Sequence, residues 1–378
     1  MLQNKSEIIE CTNTRKKVLV IAEFPSPYRV EVFKGLSVTY DMDIFFSENS
    51  DQSRSPEYIV KSGTFKFGVL SKENDRRMFN NCLKKISDYD FVLAYHPVCK
   101  SALRAEFLCR LHKVPYFVNI DGAFVNPSFV KDIIKRFVYK NAIGCLAGSK
   151  SAIKYYLYYG VNQEKIIEHK FTNLYKSEIL EEPLSESIKE NIKEKLGLHG
   201  KKVVISIGQF IKRKGFDVLL EAWNQIQNEE YELVLIGGGP ERSEYEKIIK
   251  EKAIKNVRII DYLPKDKITE YYQASDLFVL ATREDVWGLV INEAFANGVP
   301  AITTNMCNAG TQLIQEGITG YIVQSEDADS LAKSICKMLT KETTREIGIK
   351  CIESIEEYTY ENVIASHCAA IDKLLLDK

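Results

Sequence analysis

The sequence lacks the features that mark several large classes of protein. Its 51 basic and 52 acidic side chains leave a net charge of −1, so no overall positive field attracts nucleic acid. No apolar run reaches the roughly 18 residues that a membrane-spanning helix needs. Residues 1–17 are polar and contain no apolar core of a secretory signal. We therefore expect a cytoplasmic protein with no nucleic acid among its partners.

Metal-binding patterns are also absent from the sequence. The 9 cysteines and 5 histidines are scattered, with no C-x-x-C pair and no Cys/His cluster at zinc spacing. An odd number of cysteines in a large chain indicates reduced thiols rather than a disulfide framework. The first predicted strand, residues 18–22, is not followed by the G-x-G-x-x-G fingerprint of dinucleotide binding. We expect neither a metal nor a resident cofactor.

What the sequence does contain is an alternation of short apolar strands with helices over 378 residues. This alternation predicts an α/β fold with parallel sheets, and the length suggests two or three domains. Residues 171–185 show no clear period and include Pro183, so we interpret them as a linker. The predicted domains are residues 1–180 and 186–360.

The most informative stretch begins with the apolar strand 277–280 and continues through a polar loop into a helix over residues 288–297. That helix is apolar almost all round, which is typical of a buried helix, yet Glu293 lies in its middle. A buried carboxylate is costly unless something binds it. Asp285 lies in the loop at the carboxyl end of the strand, where ligands bind in open α/β sheets. Without a ligand, Asp285 would be a helix N-cap and Glu293 a solvated helix residue.

The segment from Asp285 to Pro300, DVWGLVINEAFANGVP, resembles the E-x7-E signature of the family 4 retaining glycosyltransferases. These enzymes use nucleotide sugars and have the GT-B fold, in which two Rossmann-like domains face each other across a cleft. The resemblance implies that the first acid holds hydroxyls of the donor sugar, and that Glu293 holds the ribose. Here Asp285 replaces the usual first Glu, so either the sugar lies closer or Glu284 takes over the contact.

A second resemblance lies in the loop after the strand 201–207. Gly208 and Gln209 follow that strand, and the K-R-K-G turn precedes a helix. In the family, an Arg and a Lys of this loop bind the donor phosphates. Lys214 matches the Lys, whereas Gln209 occupies the position of the Arg, so Arg213 is the candidate for the missing guanidinium. Two cations and a helix N-terminus together would neutralise a diphosphate. The alternative is a solvated lysine-rich turn.

Four further positions are implied mainly by the resemblance. Asp121 directly follows the predicted strand 115–120, at a position where many family members have a histidine. It could orient or deprotonate an acceptor hydroxyl. The alternative is an Asp-Gly turn. Leu263 lies in a segment similar to the one that holds the nucleobase. Gly310 and Thr311 open a helix whose free backbone N–H groups would face the donor.

Two helices near residues 129–141 and 150–159 combine basic residues with aliphatic and tyrosine side chains. This composition fits a helix lying on anionic lipid, at the inner face of the membrane. An ordinary amphipathic helix with a solvated face is the alternative. The last helix, about residues 361–378, would pack back on the first domain, as the GT-B resemblance implies.

The resulting hypothesis is a metal-independent, retaining glycosyltransferase. It would move a sugar from a nucleotide diphosphate donor, expected to be a UDP sugar, to a hydroxyl of a sugar or lipid-linked acceptor. The resemblance implies a role in surface polysaccharide or glycolipid synthesis. The rival hypotheses are a nucleotide-sugar epimerase of GT-B fold and a non-catalytic partner protein that binds without transfer.

Overall fold

The computed structural model describes residues 15–48, 65–226, 228–341 and 344–377. The polar leader considered above falls mainly on residues 1–14, which lie outside these ranges. The chain divides into two compact units, Met1–Val118 and Asn119–Lys378. The division between residues 180 and 186 that the linker suggests stays a prediction.

The first unit is built on a parallel sheet. Strand β1 reads KVLVIA, and its last five residues are buried on both faces, as expected for a central strand between helical layers. The order is β3-β2-β1-β4-β5, with Val20 opposite Ile44 on one side and Leu93 on the other. Its elements are β1 Lys17–Ala22, α1 Pro27–Thr39, β2 Asp41–Phe46, β3 Gly68–Val69, α2 Glu73–Lys84, β4 Phe91–Ala94, α3 Lys100–His112 and β5 Tyr116–Ile120, whose last two residues belong to the second unit.

The second unit begins with a smaller group of elements. Strand β6 pairs in parallel with β7, and the last helix, α14, packs against β6. The helix α6 begins after Ser185, whose hydroxyl accepts the amide N–H of Ile188 as an N-cap. These elements are α4 Phe129–Asn141, β6 Gly144–Ala147, α5 Lys150–Tyr158, β7 Ile166–Glu168, α6 Glu186–Lys195 and α14 Tyr360–Leu376.

The remainder of the second unit is a six-stranded parallel sheet with the order β10-β9-β8-β11-β12-β13. It contains β8 Lys202–Ile207, α7 Phe216–Asn224, β9 Tyr231–Ile236, α8 Arg242–Glu251, β10 Val257–Ile260, α9 Lys265–Ala274, β11 Leu277–Leu280, α10 Leu289–Ala296, β12 Ala301–Thr304, α11 Asn308–Leu313, β13 Gly320–Val323, α12 Ala328–Leu339 and α13 Thr344–Ile355. Each strand is followed by a helix, which is the arrangement that the alternating pattern predicts.

Strands β3 and β7 were not predicted, because runs of two and three residues carry no measurable periodicity. Within the described ranges the predicted linker contains one short 3-10 turn, Lys176–Glu178. The cysteines that the structure describes are free thiols, in agreement with the odd count. In the same part of the chain, we find no cluster of three or more metal-ligating side chains and no helix long and apolar enough to cross a bilayer.

Candidate functional site

The candidate site lies where the six-stranded sheet reverses its strand order. β8 and β11 are neighbours in that sheet, and the chain continues from them toward opposite edges. Ligands of doubly wound sheets bind at this switch point, outside the carboxyl ends of the strands. Two loops meet there: residues 208–215 between β8 and α7, and residues 281–288 between β11 and α10. They carry the two sequence motifs that resemble the glycosyltransferase signatures.

The two loops are joined by hydrogen bonds to backbone carbonyl groups. The carbonyl oxygen of Arg213 accepts the hydroxyl of Thr282 at 2.9 Å and the amide N–H of Arg283 at 2.8 Å. The guanidinium of Arg213 in turn donates to the carbonyl oxygen of Glu284 at 2.7 Å. Gly215 closes the first loop with φ +67°, and a Cβ added there would lie 1.9 Å from the carbonyl oxygen of Ala281. The two loops therefore pack closely against each other and are hydrogen-bonded at the switch point.

Lys214 and Asp285 form an ion pair between these two loops. Their Nζ and Oδ2 atoms lie 2.5 Å apart, and the two side chains are only 14% and 13% exposed. The amide N–H of Asp285 also donates to the carbonyl oxygen of Met306 at 2.8 Å. The N-cap of α10 is Gly288, so the interpretation of Asp285 as the helix cap is wrong. Glu284, the other candidate for the sugar contact, has an exposed side chain.

A cysteine lies next to this ion pair. Cys307 is fully buried, and its backbone forms a parallel bridge with Asp285. Burial raises the pKa of the Cys307 thiol to about 12, and the nearby Asp285 carboxylate adds to the increase. The thiol donates to the carbonyl oxygen of Trp287 at 3.1 Å. A neutral, hydrogen-bonded thiol of this kind is a packing group rather than a nucleophile.

Asp121 is held by Asn119, which is in turn held by His169, and the sequence reasoning missed both residues. The side-chain amide of Asn119 donates to Asp121 Oδ1 at 2.9 Å, and Asn119 Oδ1 lies 2.9 Å from His169 Nε2. Because the Asn119 oxygen must accept, His169 Nε2 carries the proton. Asn119 and His169 are 1% and 3% exposed. Residues i and i+2 of a strand point to the same face, which was the available signal for Asn119.

The same turn lies close to the segment after Asp285. A Cβ added at Gly122 would lie 2.1 Å from the carbonyl oxygen of Val286 and 3.1 Å from Asn308 Nδ2. That Nδ2 atom donates to the same Val286 oxygen at 2.7 Å. Only a residue without a side chain fits at position 122, so the Asp121–Gly122 turn packs directly against the segment that follows Asp285.

Glu293 lies on α10 and is not a solvated side chain. Its Oε1 atom accepts the side-chain amide of Asn173, and its Oε2 atom accepts the hydroxyl of Tyr272 at 3.0 Å. Burial raises the pKa of the Glu293 carboxyl, while nearby Lys265 and the two hydrogen bonds oppose the increase. Asn173 and Tyr272 were not identified from the sequence. A concave pocket beside Glu293 is lined by Leu174, Glu178, Lys265, Ile268, Thr269 and Asn297, among others.

The raised pKa predicts a specific pH dependence of stability. The folded-state pKa of Glu293 exceeds the unfolded value of about 4.3, so its contribution to stability is lost as pH rises from that value through the folded pKa. Glu293→Gln does not titrate. We expect the free energy of unfolding of this variant to gain on that of the parent between pH ~4 and neutrality, measured by chemical denaturation at several pH values. The exposed control Glu221→Gln should follow the parent; a Glu293→Gln curve parallel to the parent would contradict the assignment.

The remaining predicted residues occupy the same edge of the sheet or its flank. Gly208 and Gln209 follow β8 and are half-buried, and half-buried Leu263 follows β10. Gly310 is packed so tightly that an added Cβ would lie 2.1 Å from Thr303 Cγ2. Thr311 is exposed.

Backbone amides at the start of α11 were expected to be free, but three of them are already hydrogen-bonded. The amide N–H groups of Asn308, Ala309 and Thr311 donate to the carbonyl oxygens of Asp285, Trp287 and Cys307, respectively. The first two bonds tie α11 to the segment that carries Asp285. The amides therefore hold the site together, and roles for Gly310 and Thr311 in donor binding stay predictions.

Comparison with known proteins matches the part of the chain that carries the two loops. Residues 188–354 match the family model described as "Glycosyl transferases group 1". The chain is 30% identical over 179 residues to the N-acetyl-alpha-D-glucosaminyl L-malate synthase of Bacillus anthracis, a match covering 46% of either chain. It is 30% identical over 145 residues to the lipopolysaccharide core biosynthesis glycosyltransferase LpsE of Rhizobium meliloti, covering 38% of this chain and 41% of the relative. The chain thus spans about half the length of the curated relatives it matches.

Among solved structures, the chain is similar to Anabaena HepE in complex with UDP, with a TM-score of 0.77 and 14% identity. The likeness covers 94% of this chain and 100% of the Anabaena chain. At that identity it shows the fold alone. The predicted α/β class, with two Rossmann-like parallel sheets of the GT-B type, is confirmed.

Proposed function

We propose that the chain is a family 4 glycosyltransferase that moves a sugar from a nucleotide diphosphate donor to an acceptor hydroxyl, with retention of anomeric configuration and without a metal ion. The observation that carries the proposal is the Lys214–Asp285 pair at the switch point of a sheet. Both residues lie within residues 188–354, the part of the chain that matches the group 1 glycosyltransferase family model. The two charges suit the two ends of such a donor, because a cation binds phosphate and a carboxylate accepts sugar hydroxyls.

The phosphate end of the donor would bind Lys214 and Arg213. A lysine ammonium has three N–H donors, and one is used by Asp285, so two remain for phosphate oxygens. The N-terminus of α7 directly follows this turn and adds about half a positive charge. Together these groups would stabilise the charge that develops on the departing diphosphate, in place of a divalent cation.

The sugar and nucleoside ends would bind the carboxylates. Asp285 would accept hydroxyls of the donor sugar. Glu293 has accepted one hydrogen bond on each oxygen, and a carboxylate offers about four acceptor sites, so ribose hydroxyls can still bind it. The backbone around half-buried Leu263 would bind the base, taken to be uracil because HepE has been crystallised with UDP.

The anomeric configuration is retained when the acceptor attacks the anomeric carbon on the same face from which the leaving group departs. The bond between the anomeric carbon and the phosphate oxygen breaks, and the acceptor oxygen bonds to that carbon. The departing phosphate oxygen takes the acceptor proton, so charges and atoms balance. Asp121, held by Asn119, which is itself held by His169, would orient the acceptor hydroxyl. By analogy with the relative named for lipopolysaccharide core biosynthesis, the acceptor would be a sugar or lipid-linked sugar at the cytoplasmic side of a membrane.

The proposal is tested first by a thermal-shift panel of nucleotide sugars, because a ligand that binds the folded state raises its melting temperature. The donor found there is then incubated with acceptors, and the anomeric configuration of the product is read by NMR. Retention supports the proposal, and inversion overturns it. Incubation without acceptor separates the main rival, since interconversion of the donor sugar would indicate an epimerase.

The two candidate acids can be distinguished by substitution. Asp285→Asn should lower kcat/KM by about 10²-fold, because it removes the carboxylate that both holds Lys214 and accepts the sugar hydroxyls. Glu284→Gln is the matched control, one position earlier with an exposed side chain, and should stay within about threefold. The reverse order would transfer the sugar contact to Glu284.

A further inference from the structure

Helix α4 exposes large apolar side chains on its outward face. Phe129, Ile133 and Phe137 recur at i, i+4 and i+8, so they form one stripe along the helix. The exposed apolar residues of α4 are Phe129 at 84%, Val130 at 66%, Ile133 at 56%, Ile134 at 39% and Phe137 at 47%. Single exposed apolar side chains are ordinary, whereas a contiguous set marks an interaction surface.

The opposite face of the same helix is already packed. Val138 and Tyr139 are each 1% exposed. Lys135 donates to the hydroxyl of Tyr159 at 3.1 Å, and that hydroxyl donates to Asp132 at 2.9 Å. The polar contacts thus lie on the inner side, toward α5, while the apolar stripe faces outward. An ordinary amphipathic helix buries its apolar residues, whereas α4 exposes five of them, so a simple solvated polar face does not account for this helix.

Basic side chains flank the stripe. Lys131, Arg136 and Lys140 are exposed, whereas the single acidic residue of the helix, Asp132, is engaged with Tyr159. The end of α5 adds exposed Leu157 and Tyr158 at 43% each, and the Arg136 guanidinium lies 5.9 Å from the Tyr158 ring centre. We call this surface, the exposed side chains of α4 together with Leu157 and Tyr158, the α4 face.

We propose that the α4 face docks on an anionic lipid bilayer, with the apolar stripe between the headgroups and the basic residues against their phosphates. Apolar area and positive charge are the two contributions to interfacial binding. A second copy of the chain fits less well, because apposing two α4 faces would bring like charges together. The helix has 13 residues and is about 20 Å long, too short to cross a hydrocarbon core of about 30 Å, so it lies on the bilayer.

This docking is independent of the proposed reaction and would add to it. An enzyme held on the bilayer meets a lipid-linked acceptor by diffusion in two dimensions. If the chain turned out not to transfer sugars, the α4 face would still bind membranes.

The test is co-sedimentation of the full chain with vesicles. We expect binding to vesicles of phosphatidylcholine with phosphatidylglycerol, weaker binding to phosphatidylcholine alone, and weakening by salt. The double variant Phe129→Ser/Phe137→Ser should lower the partition coefficient at least about tenfold, and Lys131→Gln/Lys140→Gln by about fivefold per charge. Leu376→Ser is the matched control, since Leu376 is 86% exposed at the end of α14, and it should bind like the parent.

Circular dichroism and donor binding, which should be unchanged, show that each variant is folded. Failure of the parent chain to bind anionic vesicles would overturn the proposal, as would parental binding by the Phe129→Ser/Phe137→Ser variant. A dimer in solution that the same double variant dissociates would also overturn it, since the face would then be an interface between copies.

Discussion

Replacing Lys214 by alanine is expected to lower kcat for sugar transfer by about 10²- to 10³-fold, the usual cost of removing one donor from a site of developing negative charge. The ammonium lies at the switch point of the sheet, 2.5 Å from Asp285. Its remaining N–H groups would meet the departing diphosphate. Since the charge on that group grows as the bond breaks, the loss should fall more on kcat than on KM.

Lys212→Ala is the matched control for this prediction. Lys212 lies in the same 3-10 turn and has the same charge, but its side chain is exposed. We expect kcat within about twofold of the parent, since an exposed charge is screened by solvent. Initial rates at several donor concentrations measure both constants, and thermal melting reports folding. Equal losses in the two variants would mean that the turn acts only through its general charge, and an unchanged Lys214→Ala rate would remove Lys214 from the leaving-group role.

Replacing Gly215 by alanine is expected to have the largest effect on stability. At φ +67° an L-residue costs about 1–2 kcal/mol, and the new Cβ would lie 1.9 Å from the carbonyl oxygen of Ala281. The loops must then separate, which threatens the hydrogen bond from Thr282 to Arg213. With overpacking of about 1–3 kcal/mol added, we expect a total loss of roughly 2–5 kcal/mol and a melting temperature lower by about 10 °C.

Gly200→Ala separates the backbone cost from the steric one. Gly200 has nearly the same conformation, φ +70°, but an added Cβ would meet nothing within 4 Å. Only the backbone cost applies, so we expect a loss of about 1–2 kcal/mol and a shift of a few degrees. Thermal unfolding followed by circular dichroism measures both variants. Equal shifts would show that the close approach to Ala281 does not constrain the loops.

The sequence by itself determined the class of fold and the two motifs. Apolar strands such as β1 and β11 alternate with helices, and this local pattern suffices for a parallel α/β protein. Lys214 follows β8 and Asp285 follows β11, so both were expected at the carboxyl edge of a sheet. Motif and strand position are properties of short segments, which a single sequence displays directly.

Only the tertiary structure decided which side chains meet. The strand order makes β8 and β11 neighbours, and so joins Lys214 to Asp285. The same holds for the partners of Glu293 and for the outward direction of the apolar stripe on α4, where the sequence allowed two interpretations. Periodicity shows that a helix has an apolar side, but the packing of its neighbours decides which side is buried. Contacts between residues distant in sequence depend on how elements pack, and local patterns do not encode that packing.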